Sequence, residues 1–475
     1  MNRRNFAKLL PPASAALLGS PQKARSGAAD QSSGLLCSQY LKRVRDMLVA
    51  IKNNESDNLL ESAYHIAETV KNGGTCFHAW DSGHSTTGDR FPNRHGNPDI
   101  FTDGYDPDRA KKGDTLLMSI LGRPIEDPRK KGVFVIGAPA PWSAETPNPE
   151  LLIEEQQLLT YRRFCDIWID TGISTHGAIM WLPGENVPMG AVSGALGLMT
   201  FWMITADVVR ILARDGISVN VGGDEPNVTG DVAEPYAFQP QYSKPVSLER
   251  PLGREYFNLA MKQLVNIESE LGSINKIADM IVDTILSGGN VFFYSRYASA
   301  LCNEATNRRG GLLLNRGLYD NDGVLTITDQ HLRKDKAARV TDKDIVVMGV
   351  YQPDDPVDMK HLRTLRSIGT KVVSIGARSR DGLVPSGDTV PSLTDVHLGN
   401  MCNTYGLFAV PGVDRKICPT SGLLVNQMHY AVQMQVAEKI IERTNNNPRI
   451  DANAAMKGGV EKRMLDFEII RNRGY

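Results

Sequence analysis

A polar loop in the first quarter of the chain carries residue types that bind small ligands and move protons. It spans 81–87 and holds an aspartate, a histidine, two serines and two threonines. The apolar run 75–80 directly ahead of it predicts a buried strand. Hydroxyls and free backbone N–H groups beyond the carboxyl end of a strand suit an anionic or polyhydroxy ligand. We therefore predict a binding role, with a plain polar turn as the alternative, for Asp81, Ser82, Ser85 and Thr86.

His84 is the residue of this loop best suited to acid–base catalysis, because an imidazole changes its charge near neutral pH. The alternative is that it caps a backbone group. His78 and His95, with nearby aspartates, raise the question of a metal site around His84. Their spacings match no standard metal motif, so we predict neither a metal nor another cofactor.

A second pair of glycines, at 288–289, lies about 215 positions after the pair at 73–74. It again separates a predicted helix from an apolar strand, here at 290–295. The helices ahead of the two strands carry apolar stripes with the same intervals. The repeated Gly-Gly pair, with the helix before it and the strand after it, predicts two copies of one domain. Ser295, which ends the second strand, is a further binding candidate.

Each predicted copy also closes with a long helix that opens on small residues, at 190–194 and at 418–422. Small residues at the start of a helix allow a ligand to approach the backbone closely. The hydroxyls of Ser193, Thr420 and Ser421 are therefore binding candidates. Capping of the helix is the equal alternative for these side chains.

Composition limits the classes of function. The chain has 475 residues and a net charge of −1, from 53 basic and 54 acidic side chains. It has no long basic run, which argues against nucleic acid as a partner. No continuous apolar run is long enough to predict a membrane span. The six cysteines form no CxxC pair, so we expect buried thiols rather than a disulfide framework.

The first ten residues resemble a twin-arginine export signal, with Arg3-Arg4 followed by Phe6 and Lys8. A stretch of small residues follows, and 26–29 offers a cleavage point. We therefore predict export to the periplasm. The alternative is a disordered basic tail on a cytoplasmic protein.

Strands alternate with helices along both halves, which predicts an α/β fold with parallel sheets covered on both faces. Residues 226–252 contain five prolines and few apolar clusters, so we interpret them as a linker. The predicted organisation is a tail at 1–30, a first lobe at 31–225, the linker at 226–252, and a second lobe with a C-terminal tail at 253–475.

These features together resemble the sugar isomerase (SIS) domain family in a tandem arrangement. The resemblance covers about 40–224 and 255–450 and depends on four features. They are the Asn/Ser-Gly-Gly helix stop, the Ser/Thr/His loop, the strand that follows an aspartate, and the Ser-Gly helix opening. The resemblance implies two similar three-layer αβα lobes, each with a flavodoxin-like parallel sheet of about five strands. It also implies a homodimer that binds a sugar or sugar phosphate.

The resemblance implies further catalytic residues in the second lobe. Glu304 lies in the helix after that lobe's first strand, where the family's isomerases place a catalytic glutamate. A solvated helix face is the alternative, given Arg308 one turn later. His429 lies in the helix that opens at Thr420, where some family isomerases carry a functional histidine. A packed core or interface histidine is the alternative there.

The chain departs from the family at the phosphate-binding loop, which usually contains Ser-x-Ser-Gly-x-Thr. The corresponding segments are 119–124 and 350–355. The first retains Ser119, a binding candidate, while the second is acidic and should repel a phosphate. We expect an aldose–ketose isomerase that acts on a sugar or phosphosugar at a site between the two lobes. A non-catalytic sugar-binding protein of the same fold is the alternative.

Overall fold

The architecture comes from a computed structural model. It describes 35–79, 96–118, 126–138, 164–173, 177–221, 241–246, 248, 250–295, 299–306, 309–321, 324–328, 339–379, 382–399, 406–413, 415–452, 457–473 and 475.

The first half of the chain builds a parallel sheet. Its strands are β1 Cys76–Ala79, β2 Thr102–Asp103, β3 Thr115–Met118, β4 Phe134–Gly137 and β5 Ile167–Trp168. The order across the sheet is β2-β1-β3-β4-β5, and every neighbouring pair is parallel. The strands predicted from the apolar runs are confirmed. β2 lies in a stretch that the sequence favoured as a loop.

Two short antiparallel pairs follow in the chain. They are β6 Ala178–Met180 with β7 Met189–Ala191, and β8 Ile217–Ser218 with β9 Gln241–Tyr242. β9 lies inside the predicted linker and anchors that part of it against the end of the first half. β7 covers part of the segment predicted to open the first long helix, which begins instead at Ser193.

The second half builds another sheet. Its strands are β10 Val291–Tyr294, β11 Asn315–Asn321, β12 Val324–Thr328, β13 Ile345–Val350, β14 Lys371–Gly376 and β15 Val396–Leu398. Without the antiparallel edge strand β12, its order is β11-β10-β13-β14-β15, which matches the first sheet position by position. The predicted α/β class with parallel sheets is therefore confirmed.

Helices surround both sheets. They are α1 Leu35–Asn54, α2 Ser56–Lys71, α3 Ser193–Arg214, α4 Leu252–Asn266, α5 Leu271–Leu286, α6 Ser299–Thr306, α7 Pro356–Ile368, α8 Val390–Leu393, α9 Ser421–Thr444 and α10 Gly459–Arg473. Both sheets belong to one compact unit, Gly34–Tyr475. The lobe boundaries near 225 and 253 therefore stay predictions.

α3 and α9 form the centre of the hydrophobic core. α3 is apolar on all sides, and by length and composition its most apolar stretch could cross a membrane. All of that stretch is buried inside the protein, as in a core helix. α9 is also buried on nearly every side, but it carries several polar side chains.

The two glycine pairs make equivalent contacts in the two halves. The first glycine of each pair ends its helix with a left-handed φ, +69° and +83°, which costs glycine little. A Cβ on Gly74 would lie 2.6 Å from the carbonyl oxygen of Gly113, and one on Gly289 would overlap that of Lys343. Only glycine, which has no Cβ, therefore fits at the second position of each pair, against the loop that precedes the next strand.

Two aspartates fix the register of these strands. Asp114 accepts a hydrogen bond from the backbone N–H of Thr75 at 2.8 Å. Asp344 accepts the corresponding bond from Asn290, also at 2.8 Å. Both carboxylates are almost fully buried, so each one needs these donors.

We expect Gly289→Ala to destabilise the protein by about 1–3 kcal/mol, because the new methyl group overlaps the Lys343 carbonyl oxygen. Equilibrium unfolding in urea, followed by circular dichroism, measures this change. Gly272→Ala is the control, because its Cβ enters open space in α5 and should be neutral or slightly stabilising. Equal stability of Gly289→Ala and wild type would show that the nearby Lys343 carbonyl oxygen does not restrict this position to glycine.

Candidate functional site

The structure describes about half of the predicted site residues. His84, Asp81, Ser82, Ser85, Thr86 and Ser119 lie outside the described residues. Ser193, Ser295, Glu304, Thr420, Ser421 and His429 are described. The candidate site is therefore built from the second half, around β10, α6 and α9.

Ser295 lies at the carboxyl end of β10, where the rim of a parallel sheet receives ligands. Its side chain is 8% exposed, and its Oγ has no hydrogen-bond partner among the described residues. A Cβ on Gly349 would approach that Oγ to 3.2 Å, so the hydroxyl lies beside the end of β13. A buried hydroxyl without a partner is costly for a fold and suits a polar ligand.

Glu304 is fully buried on α6. Its Oε2 accepts a hydrogen bond from the phenol of Tyr430 on α9 at 2.8 Å. The expectation of a solvated helix face is therefore wrong for this residue. Burial of a carboxylate requires donors such as this phenol, and it leaves a group with strong electrostatic influence on its surroundings.

His429 is also fully buried, one residue before Tyr430. Its ring lies edge-on to Phe293 of β10, with 5.1 Å between ring centroids. Burial lowers the pKa of His429 to about 3, so its imidazole is neutral at physiological pH. The alternative, a packed core histidine, is therefore correct for the position of this side chain. Any chemical role of the imidazole depends on its hydrogen bonds.

Gln433 selects the tautomer of His429. The side-chain Oε1 of Gln433 accepts a hydrogen bond from the backbone N–H of Leu312 at 3.0 Å. Its amide nitrogen therefore faces the imidazole and donates to Nε2 of His429. The ring proton consequently lies on Nδ1, which has no partner among the described residues. His429 is thus a neutral hydrogen-bond donor in a dry environment.

Tyr430 connects the two predicted catalytic residues. Its phenol bonds Glu304, and its ring centroid lies 5.0 Å from that of His429. A second tyrosine, Tyr40 of α1, lies 5.8 Å from Tyr430 and donates to the carbonyl oxygen of Ala191 at 2.8 Å. The site is therefore joined to elements of the first half.

Sequence reasoning missed Tyr430, Gln433 and the tyrosine at position 40. A signal was present, since polar side chains recur at intervals of three along α9, at positions 427, 430 and 433. That spacing places them on one side of a helix. On a helix that also carries many apolar side chains, such a stripe predicts a buried polar network.

The remaining predicted residues lie at helix starts. Ser193 is the first residue of α3, and Thr420 precedes α9 without making a side-chain capping bond. The capping alternative is therefore wrong for Thr420. Ser421 begins α9 and is almost fully buried. Cys418, two residues before Thr420, has a left-handed φ of +61°, an unfavourable conformation that often occurs near functional sites.

The described part of the chain contains no group of three or more His, Cys, Asp or Glu residues placed to hold a metal ion. His78 packs in the core between Phe101 and Phe201, with ring centroids 5.5 and 4.9 Å away.

We expect the contribution of His429 to the free energy of unfolding to fall as the pH drops below about 6.5, because unfolded His429 binds a proton that the folded protein excludes until about pH 3. The stabilisation is complete above pH 6.5 and is lost by up to about 1.4 kcal/mol per pH unit below it. Urea unfolding between pH 4 and 8 measures the slope.

The variant His429→Gln should have a shallower slope than wild type, whatever its absolute stability. Equal slopes for His429→Gln and wild type would contradict the exclusion of the proton.

Comparisons with known proteins give distant likenesses. No family model matches the chain, and no curated protein matches it. Among solved structures, the chain is similar to a protein from Salmonella typhimurium LT2 that is provisionally named a sugar binding protein. The identity is 11% and the TM-score 0.45, with 85% of this chain and 98% of that chain covered.

The chain is also similar to tagatose-6-phosphate ketose/aldose isomerase from Escherichia coli, at 11% identity and a TM-score of 0.44, covering 89% of this chain and 97% of that one. A third likeness is to the C-terminal domain of glucosamine-fructose-6-phosphate aminotransferase from Francisella tularensis. Here the identity is 10% and the TM-score 0.41, with 90% and 100% covered. At this identity and TM-score, no residue role passes from these proteins to this chain.

Proposed function

We propose that the protein is a sugar isomerase of the aldose–ketose type, with its reacting groups around β10, α6 and α9. One observation carries the proposal. The carboxylate of Glu304 and the neutral imidazole of His429 both contact Tyr430, beside the strand that ends at Ser295. A carboxylate paired with an uncharged hydrogen-bond donor is what proton transfer next to a carbonyl requires.

The reaction moves a proton between neighbouring carbons. Glu304 removes the proton from C2 of the aldose and returns it to C1, while a hydroxyl proton passes from O2 to O1. His429 donates through Nδ1 to the oxygen on which negative charge develops. Its neutrality matters, because a neutral imidazole stabilises that charge without protonating the oxygen early. Gln433 keeps the proton on Nδ1, and Tyr430 holds Glu304 in place.

A non-catalytic sugar-binding protein is the second candidate, and complete burial favours it. Glu304 and His429 are both fully buried, so turnover requires a ligand-bound arrangement that differs at α6 or α9. Without that rearrangement, the two side chains serve the core. Binding then depends on hydroxyls such as those of Ser295 and Ser421, which are buried but retain a small exposed fraction.

The proposal includes a tandem arrangement of two SIS-type lobes, at 31–225 and 253–475. The matching strand orders and the equivalent contacts of the glycine pairs support it. Asp166 and Asp395 add a third match, since each accepts a backbone hydrogen bond at 2.8 Å from the strand beside it. Chance similarity between unrelated halves would not repeat contacts at this level of detail.

We expect Glu304→Gln and His429→Gln each to lower the rate of aldose–ketose interconversion by about a hundredfold or more, because each removes a group that acts in the transition state. Proton NMR in deuterated water measures both the rate and the exchange at C2. Glu61→Gln, on the exposed side of α2, is the control and should keep full activity.

Thermal unfolding of the same variants with and without sugar separates the two candidate functions. Ligand binding raises the melting temperature by mass action whether or not turnover occurs. If the variants keep both their thermal shift and an unchanged rate, the isomerase proposal fails. If wild type shows a shift but no exchange at C2, the sugar-binding alternative stands.

We also propose that the protein is exported through its twin-arginine signal. The double variant Arg3→Lys and Arg4→Lys preserves the charge but removes the paired arginines, and it should leave the protein in the cytoplasm. Fractionation of cells into periplasm and cytoplasm measures the outcome, with Lys8→Arg as the control. An unchanged periplasmic share in the double variant would show that the pair is not a signal.

A further inference from the structure

The start of α7 occupies a place where open α/β sheets bind anions. The helix follows β13 after a turn of five residues, so its N-terminus faces the carboxyl rim that also holds Ser295. Free backbone N–H groups and the helix dipole at such a position attract phosphate groups. The residues that occupy this position therefore decide whether the rim accepts a charged or an uncharged ligand.

In this chain the position is filled by a side chain. The carboxylate Oδ1 of Asp355 accepts hydrogen bonds from the backbone N–H groups of Val357 and Asp358, both at 2.9 Å. Pro356 contributes no N–H group. The donors that a phosphate would use in the first turn are thus already bonded to a buried carboxylate of the protein itself.

The surrounding charge also opposes a phosphate. Residues 350–358 contain three aspartates and no basic residue. One of them, Asp358, is buried and accepts a hydrogen bond from the phenol of Tyr294 at 2.9 Å. A phosphate dianion at this helix start would lie among negative charges in a region of low dielectric. Arg378 is an exposed cation just beyond the end of β14, and Lys360 is exposed on α7, two residues after Asp358.

The first half contains an internal comparison. Asp127 also precedes a proline in the connection that leads to the fourth strand of its sheet, and it caps a short 3-10 helix, Pro128–Lys131. There Arg129 donates to both carboxylate oxygens, from Nε at 3.0 Å and from Nη2 at 2.9 Å. Two lysines follow directly. The same Asp-Pro pair is thus embedded in positive charge in one half and in negative charge in the other.

We propose that Asp355 is a specificity residue that excludes phosphate and makes the second-half rim selective for an uncharged sugar. This inference rests on the proposed function and narrows its substrate class. The hydroxyl of Ser295, which has no partner among the described residues, suits a sugar hydroxyl at the same rim. The excluding group is the protein's own carboxylate, so its removal should convert the rim to phosphate binding.

The test compares wild type with Asp355→Ser and Asp127→Ser. Serine keeps the capping hydrogen bonds and removes the charge. Isothermal titration calorimetry measures the binding of inorganic phosphate, of fructose and glucose, and of the 6-phosphate of each sugar. Wild type should bind the free sugar at least about tenfold more tightly than its phosphate ester, and Asp355→Ser should gain about tenfold or more for inorganic phosphate. Asp127→Ser lies in the first half and should leave the affinity for the free sugar unchanged.

Two results would overturn the inference. One is wild-type binding of the phosphate ester as tight as that of the free sugar, with loss of that binding in Arg378→Ala. The other is no gain of phosphate affinity in Asp355→Ser, with unchanged circular dichroism. If wild type binds neither sugar but Asp355→Ser gains inorganic phosphate, exclusion by Asp355 is supported and the proposed sugar function fails.

Discussion

The polar groups on α9 must find their partners inside the protein, and this requirement sets the positions of the elements around the site. The helix is buried on nearly every side, so water cannot satisfy these groups. Four polar side chains of α9 bond to residues of α1, of α6 and of the segment before β11. The pairs are Gln427 with Tyr40, Tyr430 with Glu304, Gln433 with Leu312, and Glu438 with Leu36. A shift of α9 along its axis would therefore break bonds to α1, α6 and the segment before β11 together.

The C-terminal helix contributes to the same arrangement. Arg463 of α10 bonds the buried carboxylate of Asp451 at 2.9 Å. The backbone of Asp451 in turn pairs with Gly310 and Gly311, at 2.8 and 2.9 Å. These glycines precede Leu312, whose N–H group orients the glutamine beside His429. An ion pair near the end of the chain thus supports the geometry of the site through ordinary backbone hydrogen bonds.

Much of the fold could be predicted from the sequence because its signals are local. A glycine pair, an apolar run and a following aspartate lie within a few dozen residues and identify β1, β3, β10 and β13. β11 escaped prediction because its residues mix apolar and polar types without a clear period. β12, Val-Leu-Thr-Ile-Thr, was missed although its sequence has the alternation of a strand. The site was predictable only in part, since its bonds are long-range. Tyr430 and Glu304 are 126 positions apart, and no short pattern links them.

A comparison with α3 shows that burial alone does not require the polar groups of α9. Both helices begin with Ser-Gly near the end of their halves, and both are buried almost completely. The buried side chains of α3 are almost all apolar, which shows that this fold can contain such a helix without a polar network. Buried polar groups seldom add stability over well-packed apolar ones, and an unpartnered group such as Nδ1 of His429 costs free energy. The fold alone therefore does not account for the polar residues of α9, whereas the proposed role of this site in chemistry or recognition would account for them.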